Sequence, residues 1–208
     1  GIVLDSDVLI KYIMDKKYGA AQSVFGFSTD NWKWVLEYDK DAIRLLIGLI
    51  RSIIDGDIQY GDTRNALLAT VGIVGAKPDP FGVRPIAIED PILKCSSYMV
   101  FRDVKDDVKR ICGDRQLGGP IAGGIEILIH TLRGKLQKNK NLKVLAGDIK
   151  NAYNSMDRGH VLNQIKREIP RAYPYVNFLF GDTSEVFYND KKMEYACLLR
   201  CNGGFFKG

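Results

Sequence analysis

Histidine is scarce in this 208-residue chain, with two in all, and the four cysteines, at 95, 112, 197 and 201, form no Cys-x-x-Cys pair. A structural zinc site needs two half-sites of Cys or His at short spacing. Cys197-x3-Cys201 has no second half, so the thiols read as reduced, buried side chains of an intracellular protein. The longest apolar run, AIRLLIGLI at 42–50, contains Arg44 and falls well short of the roughly 20 residues that cross a bilayer. The first residues lack the basic-then-apolar plan of a signal peptide. No internal repeat and no low-complexity tract is present. These absences lead to the expectation of a cytoplasmic or nuclear protein with no membrane partner.

What is present is enough apolar residue, 46%, to bury a core. The net charge of +5 permits a polyanion partner without requiring one. The apolar spacing predicts a helix over 5–23, a short helix capped by Ser28 or Thr29, and a strongly amphipathic helix in DKDAIRLLIGLIRSIIDGD, with Asp41 near its start and Gly56 near its end. A β-type run at 70–74, a turn and a second run predict a hairpin over 70–88. Residues 91–112 read as helix, GDRQLGGPIAGG as a glycine-rich loop, and IEILIHTLRGKLQKN as helix. LKVLAGDI then reads as a strand, DRGHVLNQIKREI as a helix, and SEVFYNDKKMEYACLLRC as a hairpin turning at Asn189-Asp190. The order predicts an α+β fold, mostly helical over the first ~140 residues.

The stretch KVLAGDIKNAYNSMDR, 143–158, carries the chemistry. An apolar run leads into Asp148. A carboxylate at the end of a buried strand needs a partner, because an unpaired buried charge is costly. Mg²⁺ is one such partner, since it is held by one or two carboxylates together with substrate phosphates. The plainer reading is an aspartate capping the next turn, and DIKNAYNS is itself turn-prone. Tyr153, five positions on, reads either as a core aromatic or as a ring packed against a sugar. Asp106-Asp107 stands in a charged helical stretch, and Asp182 reads as a turn residue.

Three segments occur in order: VGAKPDPFGVRPIAIED, KVLAGDIKNAYNSMDR and CNGGFFKG. Together they resemble the reverse transcriptases of non-LTR retrotransposons, and more distantly those of group II introns. The first is similar to a Lys-Pro…Gly-x-x-Arg-Pro-Ile element at Lys77-Pro78 and Gly82-Val83-Arg84-Pro85-Ile86, with one residue instead of two between glycine and arginine, and the second matches an Asp-x-x-x-Ala-Phe/Tyr-Asn/Asp-Ser element at Asp148, Ala152, Tyr153, Asn154 and Ser155. GDRQLGGPIAGGIEILIHTLR is similar to the family's segment between fingers and palm. The resemblance implies a right-hand polymerase fold: a helical N-terminal extension at 1–65, fingers at 66–140 with their hairpin at about 70–88, and a partial palm at 141–208, the start of an antiparallel sheet. It implies catalysis and metal binding by Asp148, with the Ile149 carbonyl as a further ligand in a two-Mg²⁺ site. Lys77 and Arg84 would hold the incoming triphosphate, Tyr153 would gate the sugar, and Gln116 would touch the template. Without the resemblance, Lys77 and Arg84 are ordinary solvated hairpin cations. The partners it implies are an RNA template, a DNA primer, a dNTP and an endonuclease domain of the same polyprotein.

The chain departs from the family in two places. Lys207 stands where the Gly-x-x-Gln-Gly element has glutamine, next to nucleotide and template base. The Tyr-x-Asp-Asp turn that supplies the other metal-binding carboxylates is absent from the 208 residues. The expectation is therefore a reverse-transcriptase fragment that does not polymerise alone. The alternatives are a non-catalytic, RNA-binding scaffold of the same fold and an unrelated α+β domain.

Overall fold

A computed structural model describes residues 1–39, 41–58, 61–76, 83–119, 121–149, 152, 155–188 and 197–201. The fold is α+β, with eight α-helices among the described residues and one mixed four-stranded sheet.

The core forms around one helix. In α3 (Ala42–Asp55) the residues Ile43, Leu46, Ile50, Ile53 and Ile54 recur at steps of three and four, and all are buried. That spacing places them on one stripe, and full burial of each contributes about 1.5–3 kcal/mol. Gly56 ends the helix in the left-handed region at φ 76°, where a side chain is strained. α1 (Ser6–Met14) adds Leu9 and Ile13 to the core, after Asp5 caps its start by accepting from the N–H groups of Asp7 and Val8 at 3.0 and 3.2 Å. α2 (Thr29–Tyr38) begins at Ser28, whose N–H donates to the Asn31 side-chain oxygen at 2.8 Å in a capping box. α5 (Pro91–Cys112) starts with Asp90 accepting from the Ile92 N–H at 2.9 Å and with proline in its first turn. Its buried face runs from Ile92 through Cys95 and Met99 to Val104. Cys95 and Cys112 are free thiols, and burial pushes that of Cys95 up to about 12.

Polar anchors fix the second half of the chain to this core. Arg64 of α4 (Asp62–Leu68) is buried and donates to the carbonyls of Phe178 at 2.9 Å and Thr183 at 3.1 Å. Phe178 belongs to α8 (Tyr173–Phe180), so the guanidinium meets the carbonyl end of that helix. Tyr175, also on α8, lies 2.6 Å from the Ser97 hydroxyl and donates to the Leu93 carbonyl at 3.2 Å. Burial raises its phenol well above the ordinary value. Arg171, just before α8, pairs with Asp103 at 2.8 Å and also with Asp107. Asp103 accepts as well from the Val3 N–H at 3.2 Å. Asp107 thus serves the packing of α5.

β1 (Thr70–Ala76) and β2 (Val83–Ile88) pair antiparallel, Val71 opposite Ile88 and Ala76 opposite Val83, which is the expected hairpin. β3 (Ser184–Tyr188) runs parallel to β1, Thr70 beside Val186, and pairs antiparallel with β4 (Cys197–Cys201). The spatial order is β2-β1-β3-β4. Strands from the last third of the chain therefore extend the sheet of the 70–88 hairpin.

Two expectations are corrected. The first helix stops at Met14 instead of running on towards residue 23, because its apolar spacing ends there, followed by Asp15-Lys16-Lys17 and by Gly19 at φ 83°. The stretch 142–149 is not a strand: it is irregular and exposed throughout, with Leu145 at 98%. A strand needs a ladder partner, and the described sheet is made of other segments. The helices α4 and α8 were not expected. α6 (Gly124–Lys138) and α7 (Arg158–Glu168) fall where the periodicity places them.

Candidate functional site

Asp148 lies on the irregular stretch that follows α6, and both it and Ile149, at 75%, are exposed. The cost of burying an unpaired carboxylate, which motivated a metal partner, therefore does not arise in this arrangement. Asp148 makes no hydrogen bond or ion pair with any described residue. Gln116 lies on the other side of α6, and it is also exposed. Its side-chain oxygen accepts from the Gly118 N–H at 3.0 Å, holding the turn that leads into the helix. That turn packs tightly: a Cβ on Gly124 would lie 1.7 Å from the Leu117 carbonyl oxygen, so only glycine fits. Gln116 thus precedes, and Asp148 follows, one exposed helix in the chain.

The remaining expected site residues are only partly visible. The Arg84 backbone pairs with Gly75 across the β1–β2 hairpin, and its side chain lies outside the described part of the structure. Lys77, Tyr153 and Lys207 lie outside the described residues. The hairpin expected to carry Lys77 and Arg84 is formed, with Arg84-Pro85-Ile86 on its second strand.

The donor chemistry of Asp148 and the Ile149 carbonyl, hard oxygens open to solvent, suits Mg²⁺. Its number falls short of a two-metal site: among the described residues no group of three His, Cys, Asp or Glu side chains could hold an ion. What these residues offer by themselves is one accessible carboxylate beside one carbonyl.

A second concave site involves residues that the motifs did not single out. A cavity of about 820 Å³ opens between α1 and the first half of α5. Tyr12 and Tyr98 stack there across the two helices, centroids 4.0 Å apart and planes 15° apart. The Lys16 ammonium lies 4.0 Å over the Tyr12 ring. Lys11, Lys94 and Arg102 also line the cavity, as do Asp15 and Glu89. Crowding around the Glu89 carboxyl raises its pKa from the ordinary value, and Lys94 opposes that rise. The sequence signal was the spacing of Lys94, Tyr98 and Arg102 at steps of four, but the pairing of α5 with α1 is a tertiary fact that no local pattern reports.

No described helix is long and apolar enough to cross a membrane. Comparison with protein-family models and with curated proteins finds no match for this chain.

Proposed function

We propose that the chain is the fingers and part of the palm of an RNA-directed DNA polymerase of a non-LTR retroelement. The observation that carries this reading is the antiparallel pairing of β1 with β2: Arg84-Pro85-Ile86 falls on the second of these strands, the form the resemblance calls for, upstream of an accessible Asp148 at the family spacing. The reaction joins a DNA 3′ oxygen to the α-phosphorus of a nucleotide, breaks the bond to the β-phosphate side and releases pyrophosphate, while the hydroxyl proton leaves to solvent. Lys77, a point charge, and Arg84, a forked donor, hold the triphosphate. Tyr153 packs against the sugar and rejects a 2′-hydroxyl by bulk. Lys207 meets phosphate or base edge where the family has glutamine. Gln116 faces the template strand. Asp148 and the Ile149 carbonyl would supply oxygen ligands to Mg²⁺. Bound Mg²⁺ would neutralise charge developing on the phosphoryl oxygens.

The test is primer extension on an RNA template, with Mg²⁺ and dNTPs, by a protein that joins this chain to an aromatic-x-Asp-Asp element. Extension is expected, and Asp148→Asn is expected to lower it about a thousandfold or more. Undiminished copying by Asp148→Asn ends the reading. The second reading, a non-catalytic RNA-binding scaffold, is favoured by the single carboxylate at the Asp148 stretch. It is distinguished by salt-sensitive RNA binding without extension in that same protein.

A further inference from the structure

We infer that the groove between α1 and the first half of α5 grips the phosphodiester backbone of a short stretch of single-stranded RNA. The groove shares no residue with the Asp148 stretch, so it is a second contact surface. The inference rests on the polymerase reading only in choosing RNA among polyanions.

Three features of the groove fit a strand. The first is cations from both walls. Lys94 and Arg102 lie on one face of α5, and Lys11 and Lys16 belong to the end of α1 and the residues just past it. Four cations thus face two carboxylates, Asp15 and Glu89. The second is availability. Lys11, Lys94 and Arg102 make no ion pair or side-chain hydrogen bond with any described residue, whereas Arg171, which packs on α5 from just before α8, pairs with Asp103 and Asp107 of that helix. Cations left unpaired beside a cavity are poised for an anion from outside. The third is shape and aromatic content. From Lys94 to Arg102 the helix rises about 12 Å, enough for roughly three phosphates, which recur at least about 3.4 Å apart along a strand. Tyr98, stacked by one face on a Tyr12 whose other face lies under Lys16, lines the groove beside the cations, the combination of aromatic ring and charge that single strands use.

The test uses the whole 208-residue chain and a fluorescein-labelled uridine 12-mer, read by fluorescence anisotropy over a salt series. The triple variant Lys11→Gln/Lys94→Gln/Arg102→Gln changes side chains that are exposed or half-buried, and a thermal melt checks that it folds. Expected are at least a tenfold loss of affinity at low salt and a drop of about 2 in the slope of log K against log salt. Tyr98→Leu is expected to weaken binding about fivefold or more while leaving the slope in place. Arg44→Gln, which removes an exposed cation outside the groove, is expected to bind like the parent chain, and the assay reads binding without primer extension, which separates this inference from the fate of the polymerase reading. Parent-like affinity in a folded triple variant overturns the inference. So does equal affinity of the parent chain for polyglutamate of matched charge, which would make the groove a general polyanion surface.

Discussion

The helix α3 and the helix α6 are written in the same pattern and end in opposite surroundings. α3 sets Ile43, Leu46, Ile50, Ile53 and Ile54 along one stripe, and α1, α2, α5 and α8 cover it. α6 sets Ile125, Leu128, Ile129, Leu132 and Leu136 at the same steps, yet Ile125 is 67% exposed and Gly124 is the helix's one buried residue. The stretch after it, from Leu142 to Ile149, is exposed as well. An amphipathic stripe states that a helix has an apolar side; it does not state what lies across from it. The candidate catalytic carboxylate belongs to the uncovered region, while the groove between α1 and α5 belongs to the covered one.

The contrast is most directly broken by truncating one apolar residue in each region. Ile50→Ala is expected to destabilise the chain by about 2–5 kcal/mol, because it empties a fully buried position. Leu145→Ala is expected to change stability by less than about 0.5 kcal/mol. Urea unfolding followed by circular dichroism measures both, and equal losses would mean that 142–149 packs somewhere in solution. Next in size is Arg64→Met, which keeps the bulk but leaves the Phe178 and Thr183 carbonyls without their donor. A loss of about 1–3 kcal/mol is expected in the same assay.

The smallest effect is a pH dependence. The Arg110 and Arg171 hydrogen bonds hold the Asp107 carboxyl below its ordinary value. A folded pKa below the unfolded one gives stability that is present above about pH 3.9 and is lost as pH falls through the folded value. The melting temperature of the parent chain should therefore fall more steeply below about pH 4 than that of Asp107→Asn. A steeper fall in the variant would reverse the sign and remove Asp107 from the packing of α5 against Arg171.

What could be read from the sequence was what neighbouring residues decide. Gly56 ends α3 because only its own backbone conformation is at issue. The 70–88 hairpin is signalled by two β-type runs and a turn between them. The α+β class follows from the order of such segments. What could not be read depends on distant partners. Val144 and Leu145 have strand chemistry, but a strand exists only where another strand accepts its hydrogen bonds, and β1 pairs with β3 instead. Nothing in the residues around Arg64 reports its burial, which the carbonyls of Phe178 and Thr183 make tolerable. For the candidate site, the motif residues were legible one by one, whereas the exposure of Asp148 and the groove shared by Tyr12 and Tyr98 are consequences of packing.

The parallel pairing of β1 with β3 also sets a clock. Thr70 leaves the ribosome more than a hundred residues ahead of Val186, its neighbour in the finished sheet. At about 5–20 residues per second, the β1–β2 hairpin waits on the order of ten seconds with one edge open before β3 emerges. Arg64 waits equally long for the Phe178 carbonyl. The nascent chain thus carries an unpaired strand edge while the residues between Thr70 and Val186 are made, and in this interval it is open to pairing with another chain.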